Sequence, residues 1–180
     1  MKKIYCDVLK CLGCRSCEIA CAVEHSKSKT LFQAINETPL PEKRVQVEQL
    51  DILPSTFYLL PSIPLQCRHC EDAPCVKICS TKSMRKVDET GPVIHKDETC
   101  IGCQWCILVC PFGIPKVGRS GKVIIKCDLC IERIKLGEVP ACVSACPTKA
   151  LKFVEIEEIA KEKKKRFLVE IVKAGKDLGI

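Results

Sequence analysis

Apolar and polar residues alternate only in short bursts along this chain, and a helical period holds for long only at its C-terminal end. Ile4, Cys6 and Val8 fall on one face of an opening strand. Arg44-Val45-Gln46-Val47-Glu48 alternates in the same way, and Phe57-Tyr58-Leu59-Leu60 reads as a further strand. Val87 to Ile94 reads as strand, turn, strand around Asp88-Glu89-Thr90-Gly91-Pro92. Thr30 to Glu37 is expected to form a short helix with Thr30 at its cap, and Pro39, Pro41, Pro54, Pro61 and Pro64 punctuate the chain beyond it. Glu155 to Leu178 reads as one helix, with Ile156, Ala160, Phe167, Ile171, Ala174 and Leu178 along one stripe. That stripe either covers the rest of the chain or docks on a partner. It is narrow and interrupted by Lys163, which argues against a helix lying on a membrane surface.

Composition changes this picture. Five Phe, two Tyr and one Trp in 180 residues are a thin supply for an aromatic core, whereas seventeen Cys are far above ordinary usage. Such a count belongs to a disulfide-stapled secreted domain or to a metal protein in a reducing compartment. The opening residues Met1 to Asp7 offer neither the apolar stretch of a signal peptide nor a twin-Arg pair. The most apolar region, Phe57 to Leu65, is broken by Pro61 and Pro64 and is too short to span a bilayer. The expectation is a cytoplasmic metal protein without a transmembrane segment, although a partner subunit could carry an export signal.

The cysteines form four runs in register. These are Cys11, Cys14, Cys17 and Cys21; Cys67, Cys70, Cys75 and Cys79; Cys100, Cys103, Cys106 and Cys110; and Cys127, Cys130, Cys142 and Cys146. Only Cys6 lies outside them, and it is expected to be a buried thiol. Three closely spaced thiolates can grip three iron corners of a cubane. The fourth follows after about one helical turn, roughly 6 Å along the axis, towards a neighbouring cluster. Run four alone would also suit a four-cysteine zinc site, but the x2-x2 spacing of runs one and three would not. The spacing therefore predicts four [4Fe–4S] clusters. Pro111 and Pro147 follow the fourth cysteines of runs three and four, where Ala22 and Ser80 stand in the other two.

The formal charge of +7 invites a nucleic-acid reading. Deprotonating sixteen ligand thiols and adding four cluster cores of about +2 each brings the total to about −1. No nucleic-acid module accompanies the charge. Nor is there a Ser/His/Asp set, an HExxH, a P-loop or a GxGxxG, so substrate chemistry is expected to belong to a partner.

Runs two and three are joined by a short stretch, and runs one and four lie at opposite ends of the cysteine region. The economical topology is α+β: two bacterial-ferredoxin-like modules, one inserted in the other, with a C-terminal helix. Residues 1–66 with 127–153 would form the outer module, 67–126 the inner one and 154–180 the helix. Residues 22–66 are an insertion, either a flap over the clusters or a docking surface. His25 and His69 could each tune a cluster by hydrogen bonding, His69 the more so because it sits inside a ligand loop, although lone histidines are more often surface residues; His95 carries no functional signal.

The four runs resemble the four-cluster subunits of respiratory and anaerobic oxidoreductase complexes, such as those serving molybdopterin enzymes. Cys17-Glu18-Ile19-Ala20-Cys21-Ala22-Val23-Glu24-His25-Ser26, Leu31-Phe32 and Gln66-Cys67-Arg68-His69-Cys70-Glu71-Asp72-Ala73-Pro74-Cys75 are similar to the electron-transfer subunit associated with carbon monoxide dehydrogenase. The likeness extends over about residues 1–153. It implies that Cys11, Cys14 and Cys17 share a cluster with Cys146, and that Cys127, Cys130 and Cys142 share one with Cys21. It further implies that Cys67, Cys70 and Cys75 pair with Cys110, and Cys100, Cys103 and Cys106 with Cys79. Trp105 sits beside an intact Cys106, so the three-iron cluster of relatives that carry Trp in the third run is not implied. The implied function is a one-electron relay from carbon monoxide dehydrogenase to a hydrogenase or flavin-dependent NAD(P) reductase. The alternatives are the corresponding subunit of a formate dehydrogenase, hydrogenase or molybdopterin oxidoreductase, and, in another class, a structural zinc protein.

Overall fold

The computed structural model describes residues 2–49 and 62–177, so the strand expected at Phe57–Leu60 lies outside the described residues. In chain order the elements are β1 (Lys3–Cys6), α1 (Ser16–Glu24), α2 (Leu31–Ala34), β2 (Gln46–Gln49), β3 (Ser62–Leu65), α3 (Pro74–Lys77), β4 (Met84–Lys86) and β5 (Val93–His95). Then come α4 (Trp105–Leu108), β6 (Lys116–Val117), β7 (Ile124–Ile125), α5 (Ile131–Lys135), α6 (Ala141–Ser144), β8 (Leu151–Val154) and α7 (Ile156–Asp177). Among the described residues the content is α+β, in four separate two-stranded sheets. The apolar bursts are too short, and the cysteine loops too frequent, for any larger sheet to grow.

Pairing follows the buried positions. Strand β1 runs antiparallel to β8, with Ile4 opposite Phe153 and Cys6 opposite Leu151, so the first and last strands close on each other. Strands β4 and β5 form one hairpin and β6 and β7 another, both between residues 84 and 125. Two small cores result. Ile4, Val45, Val47, Leu129 and Leu151 surround Cys17, Cys21 and Cys142 in one, and Met84 and Ile124 flank Cys106 in the other. Cysteine thus occupies the centre of each core, where aromatic residues would ordinarily sit.

The hairpin expected over Val87–Ile94 begins earlier. Met84 is buried at 2% exposure and opens β4, whereas Val87 is exposed where the chain turns. Asp88 makes that turn: its Oδ1 accepts the N–H of Thr90 at 3.0 Å, and its carbonyl accepts that of Gly91 at 3.3 Å. The helix expected over Thr30–Glu37 stops at Ala34. Thr30 is at the cap position, but its hydroxyl donates to Gln33 Oε1 at 3.0 Å instead of taking a backbone N–H. Glu37 is diverted, its carboxylate accepting the N–H groups of Lys27 and Ser28 at 3.1 and 2.8 Å.

The inserted segment is fastened to α1 through a buried acid. Glu18 accepts the N–H of Val47 at 2.6 Å with one oxygen and the ammonium of Lys43 at 2.6 Å with the other. Strand β2 is thereby held over the first core, with Val47 at 4% exposure inside it.

Helix α7 departs from one of its two expected roles. Its apolar stripe does not lie on the outer segments: Ile156, Phe167 and Ile171 are all exposed. Polar contacts at its N-terminal half anchor it instead, namely Lys152–Glu162 at 2.9 Å, Arg166–Asp7 at 3.5 Å and Lys163 over the Tyr5 ring at 5.4 Å. Among the described residues no helix is long and apolar enough to cross a membrane. Removing residues 156–180 should therefore reduce the helical circular-dichroism signal while leaving bound iron per chain unchanged. Loss of iron from the isolated truncated chain would return α7 to a covering role.

Candidate metal centres

Each run opens with a loop whose residue before the second cysteine is left-handed. Gly13 (φ 66°), His69 (φ 47°), Gly102 (φ 69°) and Leu129 (φ 65°) occupy this place in runs one to four. The turn points backbone N–H groups inward, as in the concave amide nests that cradle anions. In runs two and four the donor is visible: the N–H groups of His69 and Leu129 reach Cys67 Sγ and Cys127 Sγ, both at 3.4 Å. A left-handed conformation is uncommon for a bulky residue, so His69 and Leu129 are held there by their surroundings. Both are buried.

The fourth cysteine of runs two and four begins a second repeated turn. After Cys79 and Cys146 the chain reads x-Thr-Lys, and Lys82 and Lys149 are left-handed with their N–H groups donating to the carbonyls of Cys79 and Cys146. The hydroxyls of Thr81 and Thr148 lie 3.7 and 3.8 Å from the sulfurs of those same cysteines. The Thr-Lys repeat is visible in the sequence once the runs are aligned, although periodicity alone does not single it out.

Thiols from different runs then meet. Cys79 lines a small cavity with Cys100, Cys103 and Cys106, and Ile78, Met84, Trp105 and Ile124 form much of its wall. Cys110 lines another with Cys67, Cys70 and Cys75. In the first core Cys21 lies beside Cys142, and burial together with the neighbouring Cys127, Cys21 and Cys130 sulfurs pushes the Cys142 thiol far above its ordinary range. Burial, aided by Asp128 and the Cys21 sulfur, likewise pushes Cys130 up to about 12. Cys146 packs against the first core, which contains Cys17. Cys6 stands beside both Cys11 and Cys146, and burial with those two neighbours raises its thiol to about 11.

Crowded, buried sulfurs of this kind are poor anions on their own. They suit a cationic metal core that neutralises several thiolates together. The donor set is sulfur alone within apolar walls, which fits an iron–sulfur cluster and offers nothing to a hard oxygen-seeking ion.

His25, expected at the surface, is largely buried. Its Nδ1 lies 2.7 Å from the carbonyl of Cys21 and 3.7 Å from that residue's sulfur, and its Nε2 lies 3.1 Å from Asp128. Both ring nitrogens face acceptors, so the ring is held as the imidazolium. Burial opposes that charge, but the bonds to Asp128 and Cys21 outweigh it and raise the pKa to about 9. Asp128 also accepts from Arg44 at 2.6 Å, and the backbone N–H of Arg44 donates to Cys21 Sγ at 3.2 Å. One network thus joins the insertion, run one and run four. His69 is fully buried, with Nδ1 accepting the N–H of Val93 at 3.2 Å. Burial and the charge of Lys126 push it down to about 3, so it is neutral.

Residues 59–156 match the family model described as a 4Fe-4S dicluster domain. The chain belongs to the 4Fe–4S dicluster family. An iron–sulfur protein of Rhodospirillum rubrum is 40% identical over 86% of this chain and 82% of its own. The electron transport protein HydN of Escherichia coli K12 is 35% identical over 91% of this chain and 95% of its own. The thiosulfate reductase electron transfer subunit PhsB of Salmonella typhi is 37% identical over 84% of this chain and 74% of its own. Four [4Fe–4S] clusters are the cofactors of this dicluster-family chain, a ferredoxin-like electron-transfer protein of the kind found in oxidoreductase complexes.

Of the seventeen cysteines in this 4Fe–4S dicluster chain, only Cys14 and Cys103 are exposed. They are the second cysteines of runs one and three, each preceded by a left-handed glycine and, one residue further back, by an exposed Leu12 or Ile101. A Cβ at Gly102 would come within 2.7 Å of the Lys122 carbonyl, whereas one at Gly113 (φ 60°) would meet nothing. Gly113→Ala should thus carry only the left-handed penalty, about 1–2 kcal/mol. Gly102→Ala should cost more than that and release iron, as checked by thermal unfolding and iron assay of the two variants side by side.

Proposed function

We propose that this chain is the relay subunit of an anaerobic oxidoreductase complex, passing single electrons along four clusters between a catalytic subunit and an acceptor. The observation that carries the reading is the pair of thiol-lined cavities, each built from three cysteines of one run and the fourth of another. We assign Cys67, Cys70, Cys75 and Cys110 to one cluster, and Cys100, Cys103, Cys106 and Cys79 to the next. Cys11, Cys14, Cys17 and Cys146 take a third, and Cys127, Cys130, Cys142 and Cys21 the fourth. In this arrangement residues 67–126 form an inner module inserted into an outer one made of 1–66 and 127–153, with 154–180 as an appended helix. The pairing of β1 with β8 and the packing of Cys17 and Cys21 with Cys142 favour that nesting.

When bound, the clusters supply the one-electron chemistry. The chain's residues fix the thiolates, exclude water with apolar walls, and direct N–H groups at sulfur. We take the clusters of the exposed Cys14 and Cys103 as the two ends of the relay, since electron tunnelling favours the clusters that lie nearest a partner at the surface.

The naming of one relative as a thiosulfate reductase electron transfer subunit favours a reductase-type complex, with formate dehydrogenase, hydrogenase and molybdopterin oxidoreductases in the same class. A second reading rests on the likeness of residues 17–32 and 66–75 to the subunit associated with carbon monoxide dehydrogenase. It makes that enzyme the donor, and a hydrogenase or flavin-dependent NAD(P) reductase the acceptor.

Protein purified without oxygen should carry about sixteen iron and sixteen acid-labile sulfide per chain. Stoichiometric zinc, or half that iron, would overturn the four-cluster assignment. Cys146→Ala should remove or convert the cluster of Cys11, Cys14 and Cys17, at the other end of the sequence, and lower iron by about four at most. An altered cluster confined to Cys127, Cys130 and Cys142, seen by EPR, would refute the nesting. Stopped-flow reduction decides the partner: fast reduction by carbon monoxide dehydrogenase with CO supports the second reading, and slow reduction beside fast reduction by formate dehydrogenase or hydrogenase removes it.

A further inference from the structure

Lys126 lies between β7 and the first cysteine of run four and is 3% exposed. Its ammonium donates to two backbone carbonyls, those of Val93 and Cys127, the latter at 2.6 Å. Among the described residues no carboxylate comes within ion-pair distance of it. Asp128, two residues on, is held by His25 and Arg44. His69, which takes the N–H of the same Val93, is neutral and supplies no counter-charge. Burying an ammonium with no anion is costly, and two carbonyl dipoles do not replace a full charge.

Two sets of sulfurs stand around that charge. Lys126 lines the cavity of Cys67, Cys70, Cys75 and Cys110. On its other side it holds the main chain of Cys127. Burial raises the thiols of both Cys75 and Cys127, and at each of them the charge of Lys126 opposes that rise.

We propose that the Lys126 ammonium is a fixed positive charge shared by two cluster sites, one in each module, and that it raises the reduction potential of both. The inference rests on the ligand assignment made above. A [4Fe–4S] core of about +2 with four thiolates carries about −2, and an added electron makes it about −3. Lys126 stabilises the reduced form on either side, and the two anionic sites in turn supply the counter-charge that the protein alone withholds.

The test is EPR-monitored redox titration of the full-length holoprotein, with iron counted first. About sixteen iron in the wild type upholds the ligand assignment; fewer is a failure of that assignment and not of the role of Lys126. Lys126→Gln keeps a donor to the carbonyls and removes the charge. With full iron, it should lower two of the four potentials, each by about a tenfold shift in the reduction equilibrium, or about 59 mV for one electron. Lys135→Met, which loses the same charge from an exposed side chain, should move none. Four unchanged potentials in Lys126→Gln, or a uniform shift of all four, overturns the proposal. Should Lys126→Gln fail to hold iron, Lys126→Arg decides. Iron and potentials restored by the retained charge support the role, and iron lost there as well overturns it.

Discussion

The rest of the structure depends on sulfurs from distant parts of the chain meeting in the same small spaces. Cys110 lines the cavity of run two and Cys79 that of run three, while Cys21 of α1 lies against Cys142 of α6. Every such meeting closes a long loop, and loop closure must be compensated by what is gained at the contact. Aromatic burial cannot supply much here, because few aromatic side chains exist and Trp105 and Phe112 are exposed. Thiols pushed well above their normal range, as at Cys130 and Cys142, supply still less by themselves. Cluster binding is therefore folding free energy for this chain, in the sense that holds for small metal domains generally.

The cysteine register was the most legible part of the sequence, because cluster ligation restricts spacing far more tightly than strand or helix formation does. The long helix was legible as well: Ile156–Asp177 agrees closely with the expected Glu155–Leu178. Short elements were harder to place. Strand β4 depends on where Met84 finds a buried site, and β2 begins at Gln46 because Arg44 is drawn to Cys21 and Asp128. Neither cause is local. The same applies to His25, whose partner Asp128 is distant in the chain. The left-handed loops were half legible: Gly13 and Gly102 announce them, whereas His69 and Leu129 adopt the same conformation without glycine.

The insertion between runs one and two had two open readings, flap or docking surface. Its described part behaves as a fastened cover. Glu18 and Cys21 of α1 capture the backbone of Val47 and Arg44, and Val45 and Val47 are buried against the first core. Its outward residues remain available to other molecules, notably Phe32 at 82% exposure. The two readings therefore divide the segment between inner and outer faces.

The unequal exposure of the cysteines bears on oxygen tolerance. Oxidation of sulfur follows access as well as thiolate character, and in this chain access is concentrated at Cys14 and Cys103. Dioxygen and peroxide would meet the protein first at those two loops, while Cys127, Cys130 and Cys142 stay shielded. A partner seated over either loop would then do more than receive electrons. It would also seal the place where oxidative damage begins, so the assembled complex should survive air longer than the free subunit.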